Sequence, residues 1–130
     1  MNFRRLTCLF VIIFIVTGCS KRSPFMDAEE ATYHHDVAAL EALIKKHPSI
    51  VTEESGFDGH TLLFTALINM PSYDCAKLLL DHGADPNHID VTGASPLSTL
   101  HKFGGDQRCE ELLMSYGAVP KKKGIKPAAP

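Results

Sequence analysis

The 130-residue sequence contains no tryptophan, and no aspartate or glutamate before Asp27. It has no apolar run of the roughly 20 residues that a membrane-spanning helix needs. The longest, Leu6–Thr17, is twelve residues, nearly all apolar. Basic residues are scarce in the middle of the chain. Between Asp27 and Pro120 there are five, against all 15 acidic ones, a formal charge of −10. That balance argues against a nucleic-acid binder driven by phosphate neutralisation. Nine glycines and eight prolines without a period exclude collagen, and an apolar fraction of 45% excludes a wholly disordered chain. Gly-x-Ser-x-Gly, a phosphate-cradling glycine loop and His-Glu-x-x-His are absent as well, so no motif of nucleophilic, nucleotide-dependent or zinc-dependent catalysis is present. The seven histidines (His34, His35, His47, His60, His82, His88 and His101) are scattered without ligand spacing. Glu53-Glu54 and Glu110-Glu111 read as solvated faces rather than acid/base pairs. The expectation is a protein that is not an enzyme, with no cofactor, no metal and no small-molecule substrate.

What is present begins with an address. Arg4 and Arg5 precede the apolar stretch, and Gly18 and Cys19 follow it, the pattern of a secretory signal peptide over residues 1–18. Ser20, Lys21, Arg22, Ser23 and Pro24 come next, so no buried helix continues. Val16-Thr17-Gly18-Cys19 resembles the cleavage box of bacterial lipoproteins. The resemblance implies that Cys19 is lipidated and becomes the new N-terminus. Two or three acyl chains hold a protein stably on a membrane, where one holds it only marginally. In a Gram-negative cell, Ser20 after the cysteine implies the periplasmic face of the outer membrane. Residues 19–26 then form a lipidated cysteine and tether, with Ser20–Met26 reaching at most about 23 Å. Lys121–Pro130 carries four lysines and reads as a basic disordered tail.

The middle of the chain repeats itself. At an offset of 34, Gly59 falls on Gly93, Thr61 on Ser95, Leu63 on Leu97 and Cys75 on Cys109. Leu78-Leu79 falls on Leu112-Leu113, and Gly83-Ala84 on Gly117-Ala118. A period in the low thirties with helical spacing signals stacked repeats. Thr61 and Ser95 suit helix N-caps, Pro96 suits a first helical position, and Ser72 and Asp106 suit the caps of second helices. Cys75, Leu78 and Leu79 make a core stripe, and Gly83 and Gly117 end helices. Gly59–Ala66, Gly93–Leu97 and above all Leu78–Asn87 resemble the ankyrin repeat. That resemblance implies an all-α solenoid of about three helix-turn-helix repeats, at about 27–56, 57–89 and 90–120. The first unit is degenerate, and each later one carries an extra residue near Met70-Pro71 or Gly104-Gly105. The histidine of the ankyrin Thr-Pro-Leu-His stretch is replaced by Phe64 and Ser98, which removes a hydrogen bond expected inside each repeat. Equivalent residues of stacked repeats lie about 8–10 Å apart, beyond the about 7 Å a disulfide spans, so Cys75 and Cys109 are expected as buried free thiols.

The family likeness also implies where a partner binds, at hairpin tips and on the exposed side of first helices. Those positions are Tyr33 and His34 in the first unit. In the second they are Phe57, Asp58, His60, Ile68, Asn69 and Met70, and in the third Val91, Thr92, Lys102 and Phe103. Tyr33, Phe57, Ile68, Met70 and Phe103 are expected to form one apolar patch, with inward folding of Phe57 and Ile68 as the alternative. The −10 middle favours a basic protein partner. The expected function is an envelope lipoprotein acting as a protein-binding module. Similarity to exported bacterial ankyrin proteins suggests an immunity or accessory partner of a secreted effector; the alternative is an envelope scaffold or assembly accessory.

Overall fold

The computed structural model describes residues 22–68 and 70–120. The expected signal peptide, Cys19, Asn69 and the lysine-rich tail lie outside the described residues. Six α-helices follow in order: α1 Pro24–Tyr33, α2 Val37–Lys46, α3 Leu62–Leu67, α4 Tyr73–Asp81, α5 Pro96–Lys102 and α6 Gln107–Ser115. A 3-10 turn, Pro48–Val51, follows α2.

Polar side chains start most of these helices, Ser72 and Asp106 as expected and Ser23 and Asp36 in addition. Ser23 accepts from the Met26 N–H, Asp36 from Ala39, Ser72 from Cys75, and Asp106 from Arg108 and Cys109. Each satisfies an N–H that the first turn leaves without a partner. Gly83 (φ 93°) and Gly117 (φ 90°) end α4 and α6. Behind them the Ala84 and Ala118 N–H groups donate back to the Leu79 and Leu113 carbonyls, the closing bond of a Schellman motif.

Helices pair as α1·α2, α3·α4 and α5·α6, and the pairs stack so that α1, α3 and α5 form one row and α2, α4 and α6 the other. Between the rows runs a single core that includes Ala28, Leu40, Leu63, Ala66, Leu79, Leu100 and Leu113. Cys75 and Cys109 are buried in it as free thiols. Burial pushes both thiols up, Cys109 to about 11, so the reactive thiolate is disfavoured.

Three expectations are corrected. The tether was expected to run to Met26, yet α1 starts at Pro24 and Phe25 is in the core, 8% exposed. The reason is local: Ser23 and Pro24 are a cap and a first helical residue, and Arg22 pairs with Glu30 at 2.5 Å. The Thr61 hydroxyl does not cap α3; it is buried with no hydrogen-bond partner. The bond expected to be lost at Ser98 is retained. The Ser98 hydroxyl accepts from the Ser95 N–H at 2.8 Å while the Ser95 hydroxyl accepts from the Ser98 N–H at 3.3 Å, a reciprocal capping box.

Candidate functional site

The turn between the second and third repeats is ordered by one carboxylate. Asp90, between α4 and α5, is 6% exposed. Its Oδ1 accepts from the Thr92 N–H (2.8 Å), the Thr92 hydroxyl (2.7 Å) and the Ala94 N–H (2.8 Å). Such turns arise because a short acidic side chain reaches the backbone two residues on. Its Oδ2 lies 3.1 Å from His60 Nε2, in the preceding repeat. Burial alone would raise the Asp90 pKa. The bonds from the Thr92 hydroxyl, the Ala94 and Thr92 N–H groups and His60 outweigh it and bring the carboxyl down to about 2.

His60 links both sides of this junction. Its Nδ1 is 3.1 Å from Asp58 Oδ2, and its ring stacks on Phe64 with centroids 4.9 Å apart and planes 4° from parallel. His88 meets Phe64 edge-on at 6.0 Å and reaches the Gly59 carbonyl at 2.9 Å. Phe64, where the family has histidine, thus holds two histidines from neighbouring loops. The Val91 N–H donates to the Asp58 carbonyl at 3.1 Å, completing the stitch between the second and third repeats.

Above this framework lies a groove of about 480 Å³. Six of the residues expected at the interface line it: Asp58, His60, Ile68, Thr92, Lys102 and Phe103. Lys102 Nζ is 5.5 Å from the Phe103 ring centroid, within cation–π range. Asp90, Gly93, Ala94, Ser98 and Thr99 complete the lining and were not anticipated. The Asp90-x-Thr92-Gly93 spacing is the signal that could have found the turn.

The other expected residues lie elsewhere. Val91 is exposed at a loop tip beside Gly59. Tyr33 and His34 are exposed at the end of α1, edge-to-face at 5.5 Å. Met70 is exposed on the α3–α4 loop, and Asn69 lies outside the described residues. Phe57 neither folds inward nor joins this groove. It is 98% exposed and lines a separate groove of about 390 Å³ with Phe25, Met26 and three glutamates. Of the five apolar residues expected to share one patch, only Ile68 and Phe103 share the groove over Asp90.

The Ser98 hydroxyl, donating to the Ser95 carbonyl at 2.9 Å, is engaged in the helix cap. Among the described residues, no group of three or more His, Cys, Asp or Glu is placed to hold a metal ion, and no helix is long and apolar enough to cross a membrane.

Residues 58–91 match the family model for the ankyrin repeat. The BTB/POZ domain and ankyrin repeat-containing protein NBCL of Lotus japonicus is 36% identical over 88 residues, covering 68% of this chain and 17% of that protein. The corresponding protein NH5.2 of Oryza sativa subsp. japonica is 32% identical over 97 residues, 75% of this chain and 18% of that protein. FPV222 of fowlpox virus (strain NVSL), described as an ankyrin repeat protein, is 32% identical over 83 residues, 64% of this chain and 11% of that protein. The chain therefore spans less than a fifth of the length of these relatives. With a matched repeat at 58–91 and helix pairs stacked on either side of it, the chain contains an ankyrin repeat and its described residues fold as an all-α ankyrin-repeat solenoid.

Proposed function

We propose that this chain is a non-catalytic protein-binding module, held at a bacterial envelope membrane by lipid on Cys19, that receives a segment of its partner in the groove between the second and third repeats. The observation that carries this reading is the convergence of Asp58, His60, Ile68, Lys102 and Phe103 from two repeats on one groove, over a floor fixed by Asp90. Side chains already held in place lose little freedom when a partner arrives. The groove joins an apolar wall to charges of both signs, Asp58 and Lys102. The excess of acid over the repeats steers a basic protein toward it. The lipid anchor rests on the Val16–Cys19 box and concentrates the module at the membrane. The narrower reading is an immunity or accessory partner of a secreted effector.

A photo-crosslinking side chain at Phe103 in intact cells tests this. The expected result is a discrete adduct with one protein, absent when the label sits at Val119. Labelling at both positions alike overturns the groove as the site. Phe103→Ala should weaken capture of that protein by tenfold or more, as buried aromatic anchors do, with little change in melting.

A further inference from the structure

The start of α1 changes how close the domain lies to its anchor. With Ser23 as the N-cap, only Ser20, Lys21 and Arg22 separate it from Cys19. Four residue steps span at most about 13 Å, little more than half the reach expected of the longer tether. With lipid on Cys19 as proposed above, the pole of the domain that carries Ser23 stays within that reach of the lipid headgroups. At that pole Ser23, Phe25, Met26 and Phe57 line one groove. Phe57 is 98% exposed and Met26 52%. Phe57 sits on a hydrogen-bonded turn. The turn beneath it is closed by Ser55 N–H to the His60 carbonyl at 2.8 Å and Gly59 N–H to the Ser55 carbonyl at 3.1 Å.

We propose that Phe57 and Met26 insert into the headgroup layer of the membrane that holds Cys19, and so fix the orientation of the repeat stack. The inference rests on the lipid anchor proposed above. The anchor supplies the affinity, so the patch has only to choose among orientations of a domain already at the surface. Aromatic and apolar side chains are favoured at that depth, where polar neighbours keep water. Glu29, Glu53 and Glu54 also line the groove. They keep insertion shallow and are repelled by anionic lipid, so the matching surface is zwitterionic. In this orientation the Ser23 end of α1 and the loop carrying Phe57 face the membrane.

The absence of native tryptophan gives a clean test. The lipidated full-length chain carries Phe57→Trp or, at the far end of the stack on α6, Met114→Trp. Each is mixed into vesicles of zwitterionic lipid doped with brominated lipid, a fluorescence quencher. Expected is blue-shifted emission from the Phe57→Trp chain and quenching several-fold stronger than from Met114→Trp, both declining as anionic lipid is added. A chain that floats with the vesicles while the two positions behave alike overturns the insertion and leaves the anchor standing. A chain that does not float overturns the anchor and the insertion with it. Emission that turns blue only in envelope preparations containing protein assigns the patch to a protein partner and overturns the bilayer assignment.

Discussion

Asp90 shows at the scale of one residue how a buried charge can serve a surface. Against burial, the hydrogen bonds from Thr92, Ala94 and His60 bring its carboxyl down to about 2 in the folded chain, from an ordinary value of 3.8. The folded state thus favours the ionised form, and the stability this contributes is present above about pH 4 and lost as pH falls through 3.8 toward 2. Asp90→Asn should lower stability near neutral pH by about 1–3 kcal/mol, the usual cost of leaving buried partners unsatisfied. It should also flatten the dependence between pH 4 and 2; urea midpoints across that range measure both. A variant as acid-sensitive as the parent would remove Asp90 from its role. Two glycines give a second prediction. Gly83 has φ 93° and open space where a Cβ would stand. Gly83→Ala should cost about 1–2 kcal/mol, the backbone term alone. Gly59 has φ 70°, and a Cβ there would stand 3.3 Å from Val91 Cγ1. Gly59→Ala should therefore melt lower than Gly83→Ala, and equal melting would mean that Val91 moves aside freely.

At the scale of the helix, α3 and α5 occupy equivalent places and start differently. Ser95 and Ser98 cap each other, whereas Thr61 has a buried hydroxyl without a partner and Phe64 in the position of Ser98. Ser95→Ala should destabilise by about 0.5–2 kcal/mol. Thr61→Val, which keeps the shape and removes an unsatisfied oxygen, should leave stability unchanged or raise it. Thermal melts of the two variants should move in different directions or by clearly different amounts; equal losses would mean that the Thr61 hydroxyl has a partner. The same pair shows what was legible in the sequence. The caps at Ser72, Ser95 and Asp106 and the leucine stripes are set by neighbours within four residues, so spacing reveals them. The use of Phe64 depends on His60 and on His88, which comes from the next loop, and spacing within one repeat cannot show that. By residue type Ser98 reads as a lost histidine, while the helix needs only an acceptor for the Ser95 N–H.

At the scale of the whole molecule, repeat period and core were legible because each unit needs its neighbour to cover its apolar face. The binding surface was legible only in part. Exposure of Phe57 and of Phe103 could be expected from position, but their division between two grooves follows from how loops 55–60 and 88–94 fold against the stack. The edge of the domain is hidden for a related reason: Ser23-Pro24 follows a stretch that reads as an export signal, and the two apolar residues after it, Phe25 and Met26, read as tether. Its burial makes the boundary testable. A chain beginning at Arg22 keeps the Ser23 cap, the Arg22–Glu30 pair and Phe25; one beginning at Asp27 loses all three. Removing a buried phenylalanine side chain typically costs about 3–5 kcal/mol, against the about 5–15 kcal/mol that holds a domain folded. In a stack of three units, damage to the first spreads to the second through α1 and α3, which pack together. The shorter chain should therefore unfold at much lower urea, with a shallower slope from loss of cooperativity, and Cys75 should become reactive to alkylating reagents under conditions that leave it protected in the longer chain. Phe25→Ala in the longer chain should reproduce most of this loss. If the chain beginning at Asp27 melts like the one beginning at Arg22, the first turn of α1 contributes nothing to the core, and the short tether proposed for Phe57 at the membrane falls with it.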